Sequence, residues 1–344
     1  HSVEVVSRSS WTSTQVKNAI HNRYASWKPK PDYFVILGDQ SNSGLNAVFV
    51  PGEIYFKSSN GFPSDLYFSC MDGTNDYVPD MAHGRISVST ASEALSVVQK
   101  IIGYERDPVT DSSFYLHGLH CAYFQDQDGN DTADRRFAQT SEEVLHYMVD
   151  TLDDNYMATR LYYADNDVTP KFWNNGFYSN GEPVPGYLRK PDFDWKVDLY
   201  EINEEIDSGR FYVLHRDHGN YGKWEHPLLT CSNVTSLKNG NLLPVVFSIN
   251  CKTGNFGISS GDCLAEAFLK KSSGGAVGVV AASYISYSGY NDALAMGLFD
   301  AIWPGLTPGF TGTGHTGSPP YTSHSAMYTM GDVLNQALFR MTES

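Results

Sequence analysis

The sequence predicts an α/β protein: a mostly parallel sheet with flanking helices. Three observations carry this. Short apolar runs recur at 32–39 (DYFVILGD), 113–124 (SFYLHGLHCAYF), 211–215, 245–249 and 276–282. They are continuous rather than alternating, as in strands covered on both faces. Helical patterns with start signals lie between them, and strand–helix alternation of this kind gives a parallel sheet.

The elements follow in order. Thr12 with Gln15 three residues on is a capping-box pattern, and Val16, Ile20 and Tyr24 follow at helical spacing. Residues 32–39 read as a buried strand closed by Gly38 and Asp39. Residues 40–80 are rich in Ser, Gly, Asn and aromatics and read as irregular. Thr90 and Glu93 make a second capping box, opening a helix to about Tyr104. DPVTDS (107–112) marks the boundary between two side-by-side lobes. Residues 1–108 form the first lobe and 109–344 the second. There, 113–124 is a strand and 125–134 an acidic loop. Thr140 and Glu143 are expected to cap a helix carrying Val144, Met148 and Leu152. Residues 154–200 read as loop-rich decoration with short strands. Strand 211–215, strand 245–249, helix 264–271 and strand 276–282 complete the sheet. The tail beyond Pro304 carries no readable pattern.

Bulk properties narrow the function. A chain of 344 residues with 41 % hydrophobic and 18 % charged residues buries a core and is not disordered. Its net charge of −15 repels phosphate backbones and anionic lipid, so nucleic acid and membrane surfaces are poor partners. No run reaches the roughly 18 apolar residues that a span requires. The chain opens at His1 without a start methionine or a signal-like segment, as expected of a processed product. Cys70, Cys121, Cys231, Cys251 and Cys263 are widely spaced, with no Cys-x-x-Cys pair, and their odd number leaves at least one thiol free within the chain.

Two strand ends hold the candidate chemistry. VVFSI (245–249) runs into Asn250 and Cys251, then into a Lys-Thr-Gly-Asn turn. A core cysteine belongs inside the apolar run, whereas this one sits at its lip. FYVLHRDHG (211–219) ends in His218 and Gly219. A thiol nucleophile needs a base and oxyanion donors. Glycine lets the backbone approach a substrate closely. In a parallel sheet both side chains reach one carboxyl edge, where ligands bind.

These blocks resemble the caspase-like cysteine peptidases, and within them the gingipain type. DYFVILGD, the 64–107 region and NCKTGNF followed by GDCLAEAFL are similar to that family's motifs in order and spacing. The resemblance spans about residues 3–300. It implies a caspase-like fold whose first lobe lacks its N-terminal part, and a secreted or surface cysteine endopeptidase exported by a bacterial-type route. Its partners would be protein or peptide substrates and a cleaved N-terminal fragment of the same precursor. By resemblance, Cys251 is the nucleophile, His218 the base, and the Gly219 and Cys251 N–H groups the oxyanion hole. Cys263 is structural. The family steadies its histidine with an acid at an earlier strand end. The expected counterpart is Asp126, with Gln125 as the fallback.

The resemblance also implies cleavage after Arg or Lys, with Asp292 as the pocket acid and Asp134 as the other candidate. Tyr287 and Tyr290 would form a pocket wall. The competing reading has Asp292 capping a helix that starts at Ala293. No cofactor is required by the chemistry. Asp126, Asp128, Asn130, Thr132 and Asp134 alternate along the loop and read first as a solvated acidic turn; the alternative, which the resemblance implies, is a structural calcium held by their oxygens. MDGTNDYVPD (71–80) is a second acidic candidate. A zinc hydrolase on His215 and His218, or on His117, His120 and Cys121, is the main rival. Strand alternation puts His117 and His120 on opposite faces, which disfavours the second set. The remaining rival is a binding protein on an inactive peptidase fold. His315 and His324 give no signal.

Overall fold

The computed structural model describes residues 2–40, 49–55, 61–73, 75–153, 155–174, 181–259, 261–306 and 324–343. The first part contains α1 (Ser13–Ser26), β1 (Tyr33–Leu37), the hairpin β2 (Glu53–Tyr55) and β3 (Phe62–Ser64), α2 (Leu66–Ser69), β4 (Ala82–Ile86) and α3 (Ala91–Arg106). Both capping boxes form: Thr12 and Gln15 open α1, and Thr90 and Glu93 open α3. β1 and β4 pair in parallel, Tyr33 opposite Ala82 through Leu37 opposite Ile86.

The rest is organised by a five-stranded, all-parallel sheet of β5 (His117–Phe124), β6 (Met157–Ala164), β7 (Tyr212–Arg216), β11 (Val245–Ile249) and β12 (Gly278–Ala281). The spatial order is β12-β11-β7-β5-β6. β8 (Gly219–Asn220), β9 (Lys223–Trp224) and β10 (Leu229–Thr230) form a small antiparallel sheet beyond β7. The helices are α4 (Phe137–His146), α5 (Leu199–Asp207), α6 (Cys231–Thr235), α7 (Leu264–Lys270), α8 (Ser288–Ile302) and α9 (Met330–Glu343).

Alternation along each strand divides the core into two layers. Tyr212, Leu214, Phe247 and Ile249 face α8, with Val144 and Met148. Leu119, Cys121, Val213 and Val246 face α5, α6 and α7. Both faces are covered, which is why these strands are apolar throughout. Truncating Phe247, 1 % exposed, to Ala would cost about 3–5 kcal/mol.

Four expectations are corrected. Helix α4 begins at Phe137, so Thr140 lies inside it, and its hydroxyl donates to Asp292 rather than capping. The first four residues of 113–124 lie in a 3₁₀ turn and β5 starts at His117. β6 is an eight-residue sheet strand inside the stretch read as decoration. Its Arg160 faces the Glu142 carboxylate at 2.7 Å, so a charge sits where an apolar residue was sought. The tail contains α9, whose Val333 and Ala337 pack with α8 residues in the core.

The two parts are joined by polar contacts. Ser87, just after β4, donates to Glu266 of α7 at 2.6 Å. Lys270 lies 3.8 Å from Asp39, the residue that closes the first strand run. Lys100 of α3 donates to Leu269, Lys271 and Gly274 carbonyls at the end of α7. Burial lowers its pKa to about 8.

Candidate active site

β7 and β11 are hydrogen-bonded neighbours, and Arg216 sits opposite Ile249. Two residues further along each chain stand His218 and Cys251. The register therefore brings imidazole and thiol to the same carboxyl edge.

The turn holding Cys251 is tied down from three sides. Lys252 N–H donates to Tyr284 O at 3.0 Å and Gly254 N–H to Ala282 O at 2.9 Å. Ser286 Oγ donates to Asn250 O at 2.9 Å, and Asn291 Nδ2 donates to Ser286 Oγ at 2.8 Å. The Cys251 thiol donates to Ser286 O at 3.4 Å. Glycine is required at two points of this edge. A Cβ on Gly254 would stand 2.6 Å from Ala281 O, and one on Gly219 2.5 Å from Asn250 Oδ1.

Beneath the turn lies a buried polar network that no motif announced. Asn250 Nδ2 donates to His215 Nδ1 at 2.7 Å and to Ser248 Oγ at 2.9 Å. Thr253 Oγ1 donates to Asn250 Oδ1 at 2.7 Å. Trp224 Nε1 donates to Ser248 Oγ at 2.8 Å, and its ring stacks on His215 at 4.2 Å. His215 Nε2 donates to His226 O at 3.2 Å. Both ring nitrogens of His215 are thereby occupied in the neutral tautomer. Burial pushes its pKa well below the ordinary range. This histidine is a structural post, and a zinc site using it would break one of its two hydrogen bonds, to Asn250 or to His226 O.

His218 is exposed, and its ring meets Phe137 edge-on at 5.3 Å. Its Nε2 donates to Gln125 Oε1 at 2.9 Å. The contact expected for Asp126 thus belongs to Gln125. Asp126 instead accepts from the Asn130 and Asp131 N–H groups at 3.1 and 2.8 Å, because the chain turns back after Phe124. Burial raises the Asp126 pKa.

Asp292 is also placed differently from both expectations. It lies in the second turn of α8, which starts at Ser288, so it caps nothing. Its side chain is 3 % exposed. Oδ2 accepts from Arg136 Nε and Nη2 at 3.2 Å, while Oδ1 accepts from Thr140 at 2.9 Å and from Arg216 Nη2. Arg216 Nη1 donates to Ile249 O at 3.0 Å. The cluster welds α4, α8 and the two strand ends below His218 and Cys251. Tyr287 and Tyr290 are exposed on the segment that follows Ser286. Asp134 Oδ2 accepts from Gln127 N–H at 2.8 Å.

The alternate oxygens of the 126–134 loop are engaged by hydrogen bonds within the loop itself. Asp126, Asp128, Asn130 and Asp134 all accept from the loop's own amide groups, and Thr132 donates its N–H to Asn130 Oδ1. Among the described residues, the acidic side chains whose oxygens gather within 4.8 Å are Asp72, Asp76 and Asp80, in the 71–80 stretch. His120 Nε2 pairs with Tyr212 OH at 3.1 Å on one sheet face, while Cys121 packs on the other. All five cysteines are free thiols, and Cys263 is fully buried at the start of α7. His324 Nε2 lies 3.0 Å from Asp300 Oδ2. His315 falls outside the described residues.

A thiol and an imidazole held at the carboxyl edge of a parallel sheet are the equipment of a cysteine hydrolase. Residues 2–344 match the family described as Peptidase family C25, and the chain belongs to it. Lys-gingipain HG66 of Porphyromonas gingivalis is 24 % identical over 309 residues, 88 % of this chain and 15 % of the relative. Gingipain R2 of the same organism is 23 % identical over 260 residues, 75 % of this chain and 29 % of the relative. The crystal structure of the Arg-specific cysteine proteinase gingipain R superposes with TM-score 0.69 at 18 % identity, over 96 % of this chain and 63 % of that one. A complex of RgpB pro- and mature domains gives TM-score 0.67 at 17 % identity. These structures share the caspase-like α/β fold. The chain spans less than a third of the length of each of these two sequence relatives.

Proposed function

We propose that this chain is the catalytic part of a cysteine endopeptidase in which Cys251 and His218 act together. The observation that carries this reading is the Arg216–Ile249 register, which aligns the two strand ends. With Gln125 accepting from Nε2–H, the neutral His218 ring has its lone pair on Nδ1. That nitrogen takes the thiol proton, and the sulfur attacks the scissile carbonyl carbon. The Gly219 and Cys251 N–H groups stabilise the oxyanion. His218 then returns the proton to the leaving amine as the C–N bond breaks, leaving a thioester. Water, deprotonated by His218, attacks the thioester and regenerates the thiol. No step uses a metal ion. Asp72, Asp76 and Asp80, the residues best grouped for calcium, belong to the first lobe and would serve the fold.

Placement outside the cell rests on the family, as does pairing with a fragment cleaved from the N-terminal side of the precursor. The domain complex among the structural neighbours supports the second idea. We keep residues 1–108 as a supporting lobe and 109–344 as the catalytic one. Cleavage after Arg or Lys, as the names of the relatives suggest, would rest on Asp134, the other candidate acid, because Asp292 is committed to two ion pairs.

Digestion of an unfolded protein such as casein tests the reading. The wild type should cut it, resist zinc chelation and lose activity with iodoacetamide. Cys251→Ala and His218→Ala should each be inactive. Digestion by Cys251→Ala, or loss with the chelator, would overturn the mechanism. A folded wild type that cuts nothing would favour the binding-protein reading.

A further inference from the structure

Gln125 touches the ring of His218, whereas the backbone that carries His218 and Gly219 leaves the five-stranded sheet as a hairpin. Gly219 pairs with Trp224 and Asn220 with Lys223, and Glu225 N–H donates to His218 O at 3.1 Å. A hairpin of two short strands is marginal on its own. Misplacing a reacting group by about 1 Å costs about a hundredfold in rate. The hairpin that presents the base therefore needs a fixed root.

That root lies where the chain returns. The His226 ring packs against two rings of the sheet, Tyr123 of β5 at 4.5 Å and Tyr163 of β6 at 5.0 Å. Its backbone N–H donates to Asp217 Oδ2 at 2.6 Å, and its Nδ1 stands 3.5 Å from the same oxygen. Its carbonyl accepts from His215 Nε2 at 3.2 Å. Asp217 immediately precedes His218 and is 2 % exposed, and its Oδ1 has no hydrogen-bond partner among the described residues. A buried carboxylate needs a counter-charge, and the protonated His226 ring supplies it. Burial raises the Asp217 pKa, while His226 and His218 oppose that rise. The Asp217 carboxylate in turn raises the His226 pKa. Glu225 and Asp165 also favour the imidazolium, and Asp165 accepts from Tyr123 OH at 2.5 Å and Tyr163 OH at 3.5 Å. We propose that Asp217 and His226 form a clasp that positions His218 and Gly219 for catalysis. The clasp holds the base through its backbone, where an acid on the ring was expected. It rests on the reading of Cys251 and His218 as the reacting pair, and both its members are positioning residues that touch no substrate atom.

The test measures kcat and KM on fluorescently labelled casein, with circular dichroism as the folding control and Cys251→Ala as the blank. His226→Phe keeps a ring against Tyr123 and Tyr163 but removes Nδ1. Asp217→Asn keeps an acceptor for the His226 N–H but removes the charge. Each should lower kcat about tenfold and change KM less than twofold. His226→Asn, whose amide nitrogen takes the place of Nδ1, should recover most of that loss. The double variant His226→Phe/Asp217→Asn should be no slower than the slower single variant, because both changes break one contact. A kcat within twofold of wild type in either single variant, a loss carried by KM, additive losses in the double variant, or no recovery in His226→Asn would each overturn the clasp and leave Cys251 and His218 as the reacting pair. If His226→Phe does not fold, Asp217→Asn and His226→Asn decide by the same measures. A wild type that cuts no casein, or a Cys251→Ala variant that does, would overturn both readings.

Discussion

Gln125 Oε1 accepts from His218 Nε2 at 2.9 Å, so a neutral amide stands where a carboxylate was expected. An amide fixes the ring and its tautomer but gives no charge to the imidazolium that forms during proton transfer. Gln125→Glu supplies that charge. A carboxylate at this distance favours the charged imidazolium. The pH–rate profile of kcat/KM should shift to higher pH on its acidic limb. Gln125→Ala should lower kcat about tenfold with KM little changed. An unmoved profile in Gln125→Glu would show that the contact does not bear on catalysis.

Gly219→Ala is expected to abolish most activity while leaving the protein folded. The added Cβ would stand 2.5 Å from Asn250 Oδ1, and the residue after Asn250 is Cys251. Displacing the turn by about 1 Å costs about a hundredfold in rate. Steady-state kinetics with circular dichroism as the folding control decides it.

Asn250→Ala should destabilise the protein by about 1–3 kcal/mol, since His215 Nδ1 and the Thr253 hydroxyl lose a buried partner together. Urea unfolding measures this. An effect near zero would mean that water replaces the amide.

Asp292→Asn leaves Arg136 and Arg216 buried without their counter-charge. A loss of about 3–5 kcal/mol is expected. Because Arg216 holds Ile249 O, activity should fall at temperatures where the variant is still folded.

Glu266 makes stability depend on pH. Burial and the nearby Asp39 carboxylate raise its pKa to about 7 from 4.5, outweighing the attraction of Lys270. The folded state therefore holds this proton more tightly than the unfolded chain. The favourable contribution is fully present below pH 4.5, and it is lost as pH rises through 7. Glu266→Gln keeps the acceptor for Ser87 and removes the titration. Relative to wild type, the variant should gain up to about 3 kcal/mol between pH 4.5 and pH 8 in urea unfolding. A pH-independent difference would place the proton elsewhere.

Local signals carried much of the architecture. VVFSI is an apolar run bounded by Pro244 and a Lys-Thr-Gly-Asn turn, and it forms a strand over those same five residues. The capping boxes at Thr12 and Thr90 need only neighbours three residues away, so they too were legible. β6 was not, because its charged Arg160 reads as surface until Glu142 of another element meets it. α9 was hidden behind a Gly- and Ser-rich stretch.

For the site, the sequence by itself determined which strand ends carry Cys251 and His218, since both follow directly from apolar runs and their terminating residues. Only the tertiary structure decided the company they keep. Whether Gln125 or Asp126 faces His218 depends on which way the chain turns after β5. Whether Asp292 meets substrate or two arginines depends on how α4 and α8 pack, 156 residues apart for Arg136 and Asp292. Charge pairing over such separations is a property of three-dimensional packing, and no local pattern records it.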